Sequence, residues 1–225
     1  NEICTIQDLK AISEIAHAHG AVFHTDAVQA VGHMPIDVQA MGIDLLSLSA
    51  HKFRGPKGVG ALYCRKGITL KPSVFGGGQE RGLRPGTESL PLIGAFGEAA
   101  KRLPKASAAL PQVEALRDSL VAGLAALPGV TAHSPEDASP YIVGFSAGTV
   151  RAETMLHFLA QRGVYVSAGS ACGKAKPSHV LEAMGLPKGQ VGSALRASFS
   201  RFSTMGDVQA LLEALEAGLG SLQRE

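Results

Sequence analysis

Lys52 occupies an unusual place for a lysine. The run SLSAHKFRGPKGVG (47–60) carries small and apolar residues into His51 and Lys52, then turns through glycine. An amine at the end of a strand can be desolvated, and desolvation of that kind makes an amine a nucleophile toward carbonyl compounds. Three other positions have comparable chemical content. Asp26, in HTDAVQ, ends a short apolar run and can hold a positive charge on a bound ring. Arg196, in ALRASFSRF, is a guanidinium inside an apolar strand pattern, suited either to an ion pair or to a substrate carboxylate. Cys172, in VSAGSACGKAKPS, lies among small residues with Lys174 and Lys176 just after it. That setting suits a mobile, stabilised thiolate, or an ordinary exposed loop thiol.

The elements that would position these groups alternate along the chain. Asp8 can cap a helix whose apolar positions Leu9, Ile12, Ile15 and Ala16 have helical spacing and whose stop is Gly20. Residues 21–23 predict a short strand ending at His24-Thr25-Asp26. Residues 43–49 predict a second, ending at His51-Lys52, and 58–65 a third. Strand–helix–strand order implies an α/β fold with a mainly parallel sheet, and ligands of such sheets sit beyond the carboxyl ends of the strands. Asp26 and Lys52 fall at two such ends. The glycine-rich run FGGGQERGLRPGT (75–87) reads as a loop, followed by a helix from Ser89 to about Leu103. Pro104-Lys105 marks an expected boundary between domains 1–104 and 105–225. The second domain reads as a small α+β unit, with helices over 111–127 and 153–162 and strands near 130–133, 141–145, from 164, and 194–202. A last helix follows, with Thr204 and Asp207 in a capping-box arrangement.

Bulk properties set the class. The 225 residues suffice for one large or two modest cores, with 45% hydrophobic and 18% charged residues. A formal charge of +2 with scattered Lys and Arg gives no support to nucleic-acid or membrane-surface binding. No apolar run approaches the roughly 18 residues of a membrane span. Cys4, Cys64 and Cys172 are far apart and form no CxxC pair, which argues against a disulfide framework or zinc site and suits a reducing, cytoplasmic setting. His17 and His19 are two apart on a helix and make a poor metal pair. Cys64 reads as strand core. The chain opens at Asn1 with no methionine and reads as a fragment.

A lysine and an aspartate at neighbouring strand ends are the pair that pyridoxal phosphate requires, one for the Schiff base and one for the pyridinium nitrogen. Ser49 and His51 beside them can hold a phosphate. On residues alone, a surface lysine at a strand exit and a helix-capping aspartate form the favoured reading, since such pairs are common. The run GPKGVG lacks the order of a nucleotide P-loop.

Five runs taken together, HTDAVQ (24–29), SLSAHKFRGPKG (47–58), GGGQERGLRPGT (76–87), SAGSAC (167–172) and ALRASFSRF (194–202), resemble the cysteine desulfurases. These are fold-type-I pyridoxal-phosphate enzymes that supply sulfur for iron–sulfur clusters and thiolated molecules. The resemblance spans essentially the whole chain. It implies Lys52 as Schiff-base lysine and proton shuttle, Asp26 on the pyridine nitrogen, and Gln29 with Asn1 near the phenolic oxygen. It implies Ser49 and His51 on the phosphate, joined by Thr87 of a neighbouring subunit in a homodimer. Arg196 would hold the carboxylate of L-cysteine, and Cys172 would take its sulfur as a persulfide for a sulfur-acceptor protein, leaving alanine. Cys4 stands where the family usually has glycine, and GKAK before Pro177 is shorter than in many relatives. The family is also longer at the amino terminus, so this chain alone is expected to be weakly active or inactive. A selenocysteine lyase or aminotransferase of the same fold, or a non-enzymatic docking module, are the alternatives.

Overall fold

The computed structural model describes residues 2–105, 108–168 and 178–222. The positions of Asn1, Cys172, Lys174 and Lys176 lie outside the described residues. The chain forms two compact units, Gln7–Ala108 and, separately, Asn1–Ile6 with Ala109–Glu225. The change of unit near residue 108 lies close to the boundary expected at 104, but residues 2–6 belong with the carboxy-proximal unit.

In the unit Gln7–Ala108, helix α1 (Leu9–Ala18) starts where Asp8 Oδ1 accepts from the Ala11 N–H at 3.0 Å. Strands β1 (His24–Asp26), β2 (Leu45–Ser49) and β3 (Gly60–Cys64) follow, and helix α2 (Leu90–Lys101) comes last in this unit. β2 is central, parallel to β1 and antiparallel to β3. The strand expected at 21–23 begins three residues later. Its last residue, Phe23, gives its N–H to the Asp44 carboxylate at 2.8 Å, and its carbonyl accepts from the N–H groups of Asp44 and Leu45. That backbone is committed before the ladder starts. Ala27, Ile43 and Leu46 are the buried centre, covered by Leu9, Phe23, Val31 and Ile36. Cys64, expected in the core, is only half-buried at the end of β3.

Asp44 fastens this unit together. It is 1% exposed. Besides the Phe23 N–H, its carboxylate meets His17 Nε2 of α1 at 2.9 Å and Arg65 Nη2, just beyond β3, at 2.7 Å. Burial alone would push this carboxyl up. The Phe23 N–H, His17 and the Arg65 guanidinium outweigh burial and hold it below its ordinary value of 3.8. A carboxylate whose pKa is depressed by folding adds stability above the unfolded value and loses it as pH falls through the folded value. The urea midpoint should therefore drop as pH falls below 3.8. Asp44→Asn should lower the midpoint at neutral pH and flatten the acid-side fall. An unchanged acid-side profile in that variant would remove Asp44 from the pH dependence.

The carboxy-proximal unit is α+β. Its sheet has the order β4 (Val130–Ala132), β5 (Ile142–Ala147), β6 (Ala194–Ser198), with antiparallel pairing throughout. Helices α3 (Leu110–Ala126), α4 (Ala152–Ala160) and α7 (Met205–Ser221) cover it, and α7 packs against both others. Leu116, Leu120 and Leu124 recur one turn apart on α3 and join Val143, Phe145, Met155, Leu159, Leu211 and Leu215 in one core. The capping box at Thr204 and Asp207 forms as the sequence implies.

Two short helices, α5 (His179–Ala183) and α6 (Lys188–Gly192), were not expected. The strand expected from Val164 reduces to one pairing, Ser167 with Arg196, because the Val164 N–H instead closes the end of α4 on Leu159 O at 3.0 Å. β6 stops at Ser198 because Ser200 and Ser203 make a side-chain turn there. Cys4 has φ +60, a left-handed backbone that glycine takes freely and that costs an L-residue about 1–2 kcal/mol.

Candidate active site

Parallel pairing of β1 and β2 brings their carboxyl ends to one edge, with Asp26 opposite Ser47. The pairing continues one step past the strand, where Ala27 N–H donates to Ser47 O at 3.0 Å and Ala27 itself is buried. Asp26 is thereby held at the rim, exposed, with Oδ1 accepting from the Val28 N–H at 2.8 Å. The turn that follows leaves Gln29 half-buried, and its carbonyl meets His33 Nδ1 at 3.0 Å. Between the two strands, His24 Nε2 of β1 and Ser47 Oγ of β2 are 2.8 Å apart.

Lys52 sits in a single 3-10 turn, Ala50–Phe53, immediately after β2. Two buried residues fix this turn. Ala50 is fully buried, its N–H bonded to Val59 O at 3.1 Å and its carbonyl to the Gly55 N–H at 2.8 Å. Phe53 is buried with its ring 5.6 Å from that of Phe96 on α2. The apolar positions at 50 and 53 therefore leave His51 exposed and Lys52 half-exposed between them. Arg54 ends the turn with φ +70, and a Cβ on Gly55 would lie 2.8 Å from Ala50 Cβ. Only glycine at 55 lets the chain turn back this tightly. Ser49, the last residue of β2, has Oγ 2.8 Å from His51 Nδ1.

The remaining site residues are placed differently. Thr87 is exposed in the same unit, after Gly86, whose N–H donates to Gln79 Oε1 at 3.1 Å. Within this loop Gln79–Gly82 forms a 3-10 turn with left-handed Glu80 and Arg81. Arg196 belongs to the other unit, half-buried in β6 between Gly144 and Ser167. Burial pushes the Cys4 thiol up, although Ser139, the amino terminus and Arg196 pull the other way. A thiol so placed is a poor source of thiolate. The anchors Ala50 and Phe53 escaped the sequence reading; their signal was an apolar pair three apart around His51-Lys52.

The aminotransferase class-V family model matches residues 1–211. The chain belongs to the aminotransferase class-V family. Among relatives of this class-V chain, a cysteine desulfurase IscS of Methanosarcina thermophila is 44% identical over 222 residues, covering 96% of this chain and 54% of that protein. The structure of a NifS-like protein from Rickettsia africae ESF-5 superposes with a TM-score of 0.87 at 31% identity, covering 98% of this chain and 59% of the other. A structure of SspA in complex with cysteine superposes with a TM-score of 0.72 at 35% identity, covering 90% of this chain and 57% of the other. The class-V chain spans about half the length of the curated relatives it matches. Its fold is the NifS-like one, the mixed α/β arrangement of fold-type-I proteins.

Proposed function

We propose that the intact protein is a pyridoxal-phosphate-dependent cysteine desulfurase that converts L-cysteine to L-alanine and hands the sulfur to an acceptor protein. The observation that carries this reading is the fixed turn holding Lys52 on the same sheet edge as Asp26, beside the Ser49–His51 pair. The donor set fits the cofactor. It offers an amine, a carboxylate, and a hydroxyl with an imidazole, each matched to a different part of the molecule. When bound, pyridoxal phosphate supplies an electron sink for the pair released at the substrate Cα.

Every other task falls to the chain. Lys52 would hold the cofactor through its amine and would then move the proton at the substrate Cα. Asp26 keeps the pyridine nitrogen protonated, and Gln29 and Asn1 hydrogen-bond the phenolic oxygen. Ser49 and His51 bind the phosphate, with Thr87 of a neighbouring subunit completing it in a homodimer. Arg196 orients the substrate carboxylate. Cys172, as thiolate, attacks the substrate sulfur. An S–S bond forms as the substrate C–S bond breaks; the bonding pair stays on the substrate Cβ, which takes up a proton, so that a persulfide is left on Cys172 and alanine is released. The thiolate requirement suits a reducing compartment, the cytoplasm. Among the described residues, no helix is long and apolar enough to cross a membrane.

The intact protein, loaded with pyridoxal phosphate and given L-cysteine with dithiothreitol, should release alanine and sulfide in equal amounts. Transamination without sulfide, or turnover of selenocysteine with none of cysteine, would overturn the reading.

A further inference from the structure

Gln79 has no part in the chemistry above, yet a whole loop is built around its side chain. From Ser73 to Pro91, only Gln79 and Pro85 are withdrawn from full exposure. Gln79 reaches across the loop, its Oε1 accepting from the Gly86 N–H at 3.1 Å. The chain crowds in around that contact. A Cβ at Gly77 would collide with the Gln79 side-chain amide, and one at Gly76 would lie 3.0 Å from Pro85 Cβ. The two limbs of the loop therefore meet, as in an Ω-loop packed on its own side chains. Between them the backbone is left-handed at Glu80 (φ +49), Arg81 (φ +59) and Gly82 (φ +79). Two successive non-glycine residues in that region persist only where their surroundings over-determine them. Local backbone bonds, Gly82 N–H to Gly78 O and Leu83 N–H to Glu80 O, both at 3.1 Å, close the turn without reaching the far limb. The Gln79–Gly86 bond reaches it.

The far limb carries Thr87. Gly86, the residue clamped, precedes it directly, and helix α2 begins shortly after it at Leu90. That helix is anchored by Phe96 against Phe53, the ring centroids 5.6 Å apart. Thr87 thus lies on a short span between two held points. We propose that Gln79 is a positioning residue for the cofactor phosphate: by clamping Gly86, it holds Thr87 where the phosphate site of a neighbouring subunit can use it. A hydroxyl already held in place binds an anion without first giving up the freedom of a loose loop. This inference rests on the role proposed above for Thr87.

The test titrates the intact, cofactor-free protein with pyridoxal phosphate and, separately, with pyridoxal, which lacks the phosphate. Thr87→Ala and Gln79→Ala should each weaken pyridoxal-phosphate binding by about tenfold, the scale of a hydrogen bond to a charged group. Pyridoxal binding should change in neither. Because both residues serve one contact, the double variant should lose no more than Thr87→Ala alone. Gln79→Glu keeps an acceptor for the Gly86 N–H and should bind within about threefold of the wild type. Trypsin gives a readout without the cofactor: cleavage after Arg81 should be about threefold faster in Gln79→Ala and unchanged in Gln79→Glu. Wild-type pyridoxal-phosphate affinity in Gln79→Ala, an equal loss for pyridoxal, or losses that multiply in the double variant would overturn the inference. Were Thr87→Ala to bind pyridoxal phosphate as the wild type does, the role of Thr87 would fail with it, whereas equal trypsin rates would overturn the clamp alone. Were Gln79→Ala not to fold, Gln79→Met, which fills the space without an oxygen, decides against Gln79→Glu by the same readouts.

Discussion

Lys52→Ala in the intact protein should reduce alanine formation from L-cysteine by about a hundredfold or more, the scale on which a positioned proton-transfer group acts. Borohydride should fix the cofactor to the peptide containing Lys52 in the wild type and to no peptide in the variant. The effect is expected to be large because a single amine is asked both to anchor the cofactor and to carry the proton. Ala50 and Phe53 are buried on either side, and the Gly55 N–H closes the turn on Ala50 O. Arg54, two residues on, cannot take over, because a guanidinium stays protonated and forms no such covalent link. The fold should survive, because Lys52 is a half-exposed residue of the turn and not one of its anchors. A reduced adduct on any other lysine would contradict the assignment.

Cys172→Ser should have an effect of similar size on a different step. Asp26, Lys52 and Arg196 are untouched by it, so cofactor content and the absorbance response to L-cysteine should match the wild type. Sulfur transfer to an acceptor should fall to about a hundredth or less, because a serine hydroxyl is not ionised near neutral pH and is a far weaker nucleophile toward sulfur. Wild-type sulfur transfer by the serine variant would remove Cys172 from the mechanism. The split between the two variants is the informative part. Lys52→Ala should lose the covalent cofactor link, whereas Cys172→Ser should keep it.

Features set by neighbours in sequence were legible before the fold was known. Asp8 caps α1, and Thr204 with Asp207 caps α7, because each interaction spans three residues. The placement of Asp26 and Lys52 at adjacent strand ends was legible for a similar reason, since each follows directly from its own apolar run. Features that depend on distant partners were not. The strand predicted at 21–23 moved because Asp44, far along the chain, claims the Phe23 backbone. Val164 did not begin a strand because its N–H closes α4. Cys4 gave no sign of a left-handed backbone from its own type, and only the resemblance, with glycine at that place, pointed there. The contact between Glu2 and Ser178 spans nearly the whole chain and has no local signature.

The most direct test of the account is the location of the transferred sulfur. The intact protein is loaded with pyridoxal phosphate, treated with L-cysteine, alkylated, digested and read by peptide mass spectrometry. The account predicts one extra sulfur atom on the peptide carrying Cys172 and none on those carrying Cys4, half-buried with its thiol pushed up by burial, or Cys64. Extra sulfur on Cys64, or alanine formed with no sulfur on any cysteine, would contradict it.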